Sequence, residues 1–185
     1  MPDKAVKTVR DIIYFQYAKL IARAAFGYAD GKEAKAKAYG FIKNKFKELQ
    51  SGQIKWSDIL HEDLKFVESD KKCIFCGSTE NITKEHIIPK TLKVNPRCPT
   101  CDHIQGIHNI IWSCKSCNSK KGQSGLYTYY SKICSQKSFK DYLPPLLEEK
   151  YLKIIYLCHE CAGTLDSAPQ DPDVFAIDKV IDDNL

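Results

Sequence analysis

Nine cysteines stand out in a chain of 185 residues, because eight of them form four Cys-x-x-Cys pairs. In chain order, the pairs are Cys73 with Cys76, Cys98 with Cys101, Cys114 with Cys117, and Cys158 with Cys161. A gap of two residues lets a tight turn aim two sulfurs at one tetrahedral ion, so repeated pairs favour zinc over redox chemistry. We therefore predict structural zinc. The ninth cysteine, Cys134, is predicted to be a small buried apolar side chain.

A carboxylate and an imidazole lie between the first and third cysteine pairs. Glu85-His86 is followed by two isoleucines and Pro89, and Asn118 comes directly after the third pair. These two pairs suffice to close one tetrahedral zinc site. The ion would hold Glu85-His86 beside the helix that is expected near Asn118. Such clamping replaces a hydrophobic core that a segment of about fifty residues hardly builds alone.

Residues 71–122 resemble the HNH nuclease family. The resemblance rests on the EHIIP motif, on a central Asn109 and on the segment Cys-x-x-Cys-Asn-x-x-Lys-Gly. Glu85 stands where the family usually has Asp, and residues 91–108 contain an additional CPTCDH segment. The resemblance implies an α+β fold with a zinc-stapled ββα-metal core of the treble-clef type.

The family's chemistry is hydrolysis of a phosphodiester, which needs an activated water and a cation against the developing charge. An imidazole with a pKa of about 6.5 accepts a proton near neutral pH, so His86 is the predicted base. Glu85 and the side-chain carbonyl of Asn118 are predicted to bind Mg²⁺ or Mn²⁺, although Asn118 also suits a helix N-cap. Asn109 is predicted to orient the His86 ring by accepting its second N–H, and His108 competes with Asn109 for a role in the site.

Two further features concern other ligands. The second and fourth cysteine pairs are predicted to form a second zinc site that pins the C-terminal segment to the inserted loop. In the alternative arrangement, His103 or His108 joins the second pair, which leaves the fourth pair to another site or to none. Lys120 and Lys121 are predicted to contact backbone phosphates near a helix N-terminus.

Helical patterns dominate both flanks of this core. Apolar residues at three- and four-residue steps predict a helix over 7–26, with a buried face formed by Val9, Ile13, Tyr17, Leu20 and Ala24. A lysine-rich helix is predicted over 32–49. A third helix is predicted to start at Ser57 as N-cap and to pack through Ile59, Leu60 and Leu64.

The predicted organisation has three parts. Residues 1–68 form a helical N-terminal unit, 69–135 form the zinc-bound core, and 136–185 form an extension that contains the fourth cysteine pair. Within these parts, a helix is expected to start at Ser119 or Ser124, and Pro144-Pro145 must start or end another. The pattern over residues 146–157 fits either a helix or a strand.

The charge distribution points weakly to a polyanionic partner. The net charge is +5, whereas residues 166–185 carry one Lys against six Asp. No apolar run approaches 18 residues and the N-terminus lacks the pattern of a secretory signal, so we expect no membrane insertion and a cytoplasmic location.

Together these features predict a metal-dependent HNH endonuclease that acts on DNA, in a restriction-type role. Cutting of both strands would require a homodimer or two binding events. One alternative is a zinc-dependent nucleic-acid-binding module without cleavage. The other is a structural zinc protein that presents a protein-binding surface.

Overall fold

The computed structural model describes residues 4–27, 32–56, 59–90, 101–133 and 143–169. Its helices are α1 (Val9–Phe26), α2 (Lys32–Gln50), α3 (Ile59–Glu68), α4 (Asp102–Gln105), α5 (Lys115–Lys121), α6 (Leu126–Ile133) and α7 (Pro145–Ala162). A 3-10 turn spans Ile107–Asn109. Strands β1 (Ile82–His86) and β2 (Ile110–Cys114) form an antiparallel two-stranded sheet. The described part of the chain is therefore α+β, as the sequence predicted.

Helix α1 begins at a capping box. Thr8 accepts the backbone N–H of Asp11 through its hydroxyl, and the Asp11 carboxylate accepts the backbone N–H of Thr8. The predicted apolar face is buried at Val9 and Ile13, but Ala24 is exposed. Helix α1 packs against both α2 and α7, so its buried residues extend beyond the single face that the sequence predicted.

Helix α3 buries a face that the sequence did not indicate. Of the three residues expected to pack, Ile59 is buried, but Leu60 and Leu64 are exposed. Glu62 and Asp63 are buried instead. These two carboxylates bind ammonium groups of α7, where Lys153 pairs with Glu62 and the buried Lys150 pairs with Asp63. The predicted N-cap, Ser57, lies outside the described residues.

Helix α7 settles the ambiguous segment 146–157 as helix. Pro145 occupies its first turn, where proline costs no hydrogen bond and its fixed φ suits the helix. Buried residues lie on several sides of α7, which packs against α1, α3 and α4. Charged side chains of α7 can be buried because they are paired. Glu148, for example, forms an ion pair with Arg23 and accepts a hydrogen bond from the Tyr127 hydroxyl.

The hairpin and the helix after it form a ββα unit. In the antiparallel register, Glu85 lies opposite Ile111 and His86 lies opposite Ile110. Helix α5 starts at Lys115, directly after β2, and ends at Lys121, with Gly122 as its C-cap at a φ of +51°. The helix that was expected to start at Ser119 or Ser124 corresponds to α6, which begins at Leu126, close to the second of these positions. Ser119 lies within α5.

One apolar cluster joins the three predicted parts of the chain. It contains Val9 from α1, Ile87 and Ile111 from the hairpin region, and Tyr151 from α7. A smaller cluster packs α1 against α2, with Phe46 buried. Among the helices in the described ranges, none has the length and apolar character needed to cross a membrane.

Candidate metal centre and hairpin site

Four thiols converge at one end of the ββα unit. The Sγ atoms of this cysteine cluster all lie within 4.8 Å of one another, and they belong to Cys73, Cys76, Cys114 and Cys117. A Zn–S bond of about 2.3 Å gives a tetrahedron with edges of about 3.8 Å. The Sγ atoms of Cys76 and Cys114 are 3.8 Å apart. The geometry thus fits a tetrahedral ion such as zinc, as the spacing predicted.

Local backbone structure explains how the two pairs meet. The first pair forms a turn in which the Gly77 N–H donates to the Cys73 carbonyl at 2.7 Å. Gly77 has a φ of +75°, which glycine adopts without strain. In the third pair, Cys114 is both the last residue of β2 and the N-cap of α5. Because β1 and β2 are paired, the two turns are held at the same end of the hairpin.

The ionisation of the cluster also suits a cation. Burial opposes ionisation of Cys73, but hydrogen bonds from the backbone of Cys114, Cys76 and Phe75 outweigh it and lower the pKa of its thiol to about 6. Burial and the neighbouring thiols raise the pKa of Cys117. One thiolate therefore forms easily, while the accumulation of further negative charge needs a bound cation to offset it.

Glu85 and Lys121 form a buried ion pair. The Lys121 ammonium donates to Glu85 Oε1 at 3.0 Å and to the His86 carbonyl at 2.8 Å. The Lys121 side chain is fully buried. The prediction that Lys121 contacts phosphate is therefore wrong, whereas Lys120 is exposed as a phosphate contact requires.

His86 is the last residue of β1 and is partly exposed. Burial is the largest influence that lowers the pKa of its imidazole, and the charges of Lys90 and Lys121 add to it against the opposing charge of Glu85. The ring is therefore predominantly neutral at pH 7, which is the form that accepts a proton.

Asn109 does not orient the His86 ring. Its side-chain oxygen accepts the Ile88 N–H at 2.8 Å, and its amide nitrogen donates to the carbonyls of Ile88 and Ile104 at 2.7 and 2.9 Å. Asn109 is also completely buried, so substrate does not reach it. The predicted catalytic role is wrong, and Asn109 instead fixes the backbone immediately after His86.

Asn118 lies on the side of α5 that faces β1. Its amide nitrogen is 3.4 Å from the Thr83 hydroxyl, to which it donates. Thr83 and Glu85 are two residues apart in a strand, so their side chains point to the same face of the hairpin. Asn118 is therefore on the same side of the hairpin as the Glu85 carboxylate. The N-cap alternative for Asn118 is wrong, because Cys114 is the N-cap of α5.

The remaining cysteines that the structure describes are not part of the cysteine cluster, and His108 is not part of the hairpin site. The sulfurs of Cys101 and Cys158 face each other at 3.2 Å, Cys161 is exposed, and Cys98 lies outside the described residues. His108 Nδ1 contacts the Asp63 carboxylate rather than the hairpin site. Cys134 also lies outside the described residues.

The residues that sequence reasoning missed are those that support the site. The sequence does not show which of the two adjacent lysines, Lys120 or Lys121, turns inwards. It therefore did not indicate that Lys121 would bind the Glu85 carboxylate. Lys121 is one turn after Asn118, so both residues lie on the side that meets β1.

Comparison with known proteins adds no relationship, since no family model, curated protein or solved structure matches the chain.

Removal of the Lys121 ammonium is expected to destabilise the protein strongly. Lys121→Met leaves the Glu85 carboxylate buried without its partner, which typically costs about 3–5 kcal/mol of unfolding free energy. Urea denaturation followed by circular dichroism measures the change. The neighbouring Lys120→Met is the matched control, and we expect it to change stability by less than about 0.5 kcal/mol. Equal effects of the two substitutions would contradict the assigned pairing.

Proposed function

We propose that β1, β2 and α5 form the core of a metal-dependent HNH-type endonuclease that hydrolyses DNA phosphodiester bonds in a restriction-type role. One observation carries the proposal. The cysteine cluster fixes a hairpin whose first strand ends in Glu85-His86, and α5 packs on that hairpin with Asn118 on the Glu85 side. A neutral imidazole and oxygen ligands suit phosphodiester hydrolysis. Adjacent strand residues point to opposite faces, so the proposal requires the backbone at the end of β1, close to Pro89, to bring the Glu85 carboxylate and the His86 ring to one phosphate.

His86 is the proposed general base. It lies at the end of β1, where its ring is partly exposed and accessible to a water at the phosphate. Two side chains fix the backbone around His86. Lys121 donates to the His86 carbonyl, and Asn109 accepts the Ile88 N–H. In this proposal the neutral ring takes the proton of the attacking water.

Glu85 and Asn118 are the proposed ligands of a divalent cation. Carboxylate and amide oxygens are the donors that Mg²⁺ and Mn²⁺ prefer. The Asn118 amide nitrogen is directed to Thr83, and its carbonyl oxygen has no hydrogen-bond partner among the described residues, so this oxygen remains available. Lys121 donates to Oε1 of Glu85, so in this proposal the cation is bound through Oε2. When bound, the cation would neutralise the negative charge that develops on the phosphate.

The DNA backbone is proposed to contact exposed lysines near the hairpin. Lys84, Lys90 and Lys120 are exposed, and Lys90 is close enough to His86 to influence its pKa. These residues replace the buried Lys121 in that role. Double-strand cutting by such a unit would require a homodimer or two binding events.

A specific observation favours a second candidate function. The Glu85 carboxylate is engaged by Lys121, so one of the two proposed metal ligands is already neutralised. This arrangement also suits a zinc-dependent nucleic-acid-binding module that does not cleave. Such a module would bind DNA with the strong salt dependence of phosphate contacts.

A plasmid assay separates these functions. Zinc-loaded protein is incubated with supercoiled DNA and either Mg²⁺ or Mn²⁺, and binding is measured in parallel as a function of salt. We expect nicked circles that require the added cation. Salt-dependent binding without nicks would support the binding module, and the absence of both would support a structural zinc protein.

Asn118→Ala is expected to raise the concentration of Mg²⁺ or Mn²⁺ needed for half-maximal nicking by about 10-fold or more, because metal sites lose at least this much when a supporting group is removed. The zinc content should not change, since Asn118 is not one of the clustered thiols. The measurement is a metal titration of the nicking rate, with Ser119→Ala on the adjacent exposed residue as control. An unchanged titration would remove Asn118 from the cation site.

A further inference from the structure

Helix α3 presents a line of apolar side chains to solvent. This line, the α3 stripe, consists of Leu60, Leu64 and Val67, which are 58%, 60% and 62% exposed. Among the described residues, no other large hydrophobic side chain is as exposed as these three. Single exposed apolar residues are common on protein surfaces, whereas an apolar surface that continues from one residue to the next marks a contact site. The α3 stripe is therefore a surface that gains stability when a partner covers it.

The opposite side of α3 fixes the helix in this orientation. Phe66 is buried there, and the buried carboxylates of Glu62 and Asp63 form ion pairs with α7. Glu62 binds Lys153 and Asp63 binds Lys150. Rotation of α3 to bury the stripe would separate these pairs and leave buried charges uncompensated. The stripe therefore leaves water only when a second surface packs on it.

The spacing of the α3 stripe is that of a contact between two helices. Its residues follow one another by four and then by three positions, as the apolar residues of a two-helix coiled coil do. Residues at these steps lie on one side of a helix, one above the other. The 10 residues of α3 extend over about 15 Å, and the stripe covers nearly all of this length. Another helix is therefore the element that fits it.

The charges beside the stripe are complementary to a second α3 in the opposite direction. His61 follows Leu60 and Glu68 follows Val67, so both exposed side chains lie along the same edge of the stripe. A two-fold axis at Leu64 brings these edges together and places the start of one helix beside the end of the other. His61 then lies beside the partner's Glu68, and the imidazole N–H can donate to that carboxylate. Symmetry produces this contact twice.

We propose that the α3 stripe binds the α3 stripe of a second copy of this chain, with the two helices antiparallel. Leu64 packs on the partner's Leu64, and Leu60 packs beside the partner's Val67. One helix of 10 residues from each copy buries less than a standard interface of about 800 Å² per partner, so the dimer forms at raised protein concentration. The inference does not depend on the proposed nuclease activity, and nicking of one strand does not require this contact.

The test is sedimentation velocity of the zinc-loaded full chain at increasing protein concentration. We expect the mean sedimentation coefficient of the wild type to rise from that of a monomer to that of a dimer. Leu64→Glu places two like charges at the two-fold axis and should raise the dissociation constant at least about 30-fold, as loss of a central contact does. The matched control is Ile133→Glu, the same change at an exposed apolar residue of α6, which should dimerise as the wild type does. A wild type that stays monomeric, or Leu64→Glu that dimerises equally well, would overturn the proposal.

A charge exchange tests the antiparallel arrangement. Glu68→Lys should weaken the dimer, because it replaces the carboxylate beside the partner's His61 with an ammonium group. The double variant Glu68→Lys with His61→Glu restores opposite charges across the interface, so dimerisation should recover. A double variant that dimerises no better than Glu68→Lys would contradict the arrangement. Both positions are exposed, so circular dichroism and zinc content should match the wild type. Neither experiment measures cleavage, so a failure here is distinguishable from a failure of the proposed function.

Discussion

Cys114→Ser is expected to remove one zinc ion per chain and to lower the free energy of unfolding by more than about 4 kcal/mol, as loss of a structural metal typically does. Serine is a preferred N-cap residue, so the substitution preserves the start of α5 while it removes a thiolate. The loss therefore reports on the metal rather than on the helix. For a chain of this size, the melting temperature should fall by roughly 10 °C or more.

The matched control for this prediction is Cys134→Ser, which changes the one cysteine outside the Cys-x-x-Cys pairs. It should retain the zinc content of the wild type, and its melting temperature should fall far less than that of Cys114→Ser. Elemental analysis and calorimetry measure both quantities on the same samples. If Cys114→Ser kept its zinc, the cysteine cluster would not be the metal centre.

The metal centre was the most predictable part of the structure because it depends on a short sequence pattern, the Cys-x-x-Cys pair. A two-residue gap between cysteines determines that a turn can present both sulfurs, and only the meeting of two turns depends on the fold. Helices α1 and α2 were predictable for the same reason, since their periodicity is contained in the segment itself. Pro144-Pro145 marked the start of α7 through the missing N–H of proline.

The roles of Asn109 and Lys121 were not predictable because their partners are set by register and packing. Asn109 is close to His86 in the hairpin, yet the antiparallel pairing directs its side chain to the Ile88 backbone. Lys121 looked like a surface lysine, and only the packing of α5 on β1 brings it to Glu85. In both cases the residue supports the proposed site rather than contacting substrate.

The buried face of α3 illustrates the same limit on a larger scale. Its apolar residues Leu60 and Leu64 suggested one packing face, but Glu62 and Asp63 occupy the interior. Their lysine partners on α7 are 91 and 87 positions away in sequence. No window of the sequence reveals that two acids will be neutralised by such distant lysines. Hydrophobicity alone was therefore right for Ile59 and wrong for Leu60 and Leu64.

His86→Ala is expected to lower the rate of metal-dependent DNA nicking by about 10²–10⁴-fold, the usual contribution of a general base. The side chain is partly exposed, and its ring has no hydrogen-bond partner among the described residues, so the fold and the zinc content should be retained. The structure offers His61 as a matched control, because it is an exposed histidine on α3. His61→Ala should nick DNA at the rate of the wild type.

The most direct test of the proposed function is therefore the single-turnover nicking rate of zinc-loaded wild type, His86→Ala and His61→Ala on supercoiled plasmid, with Mg²⁺ or Mn²⁺ added. The proposal predicts rapid, cation-dependent nicking by the wild type and by His61→Ala, with almost none by His86→Ala. Intact supercoiled DNA with the wild type, or equal nicking by His86→Ala, would contradict it.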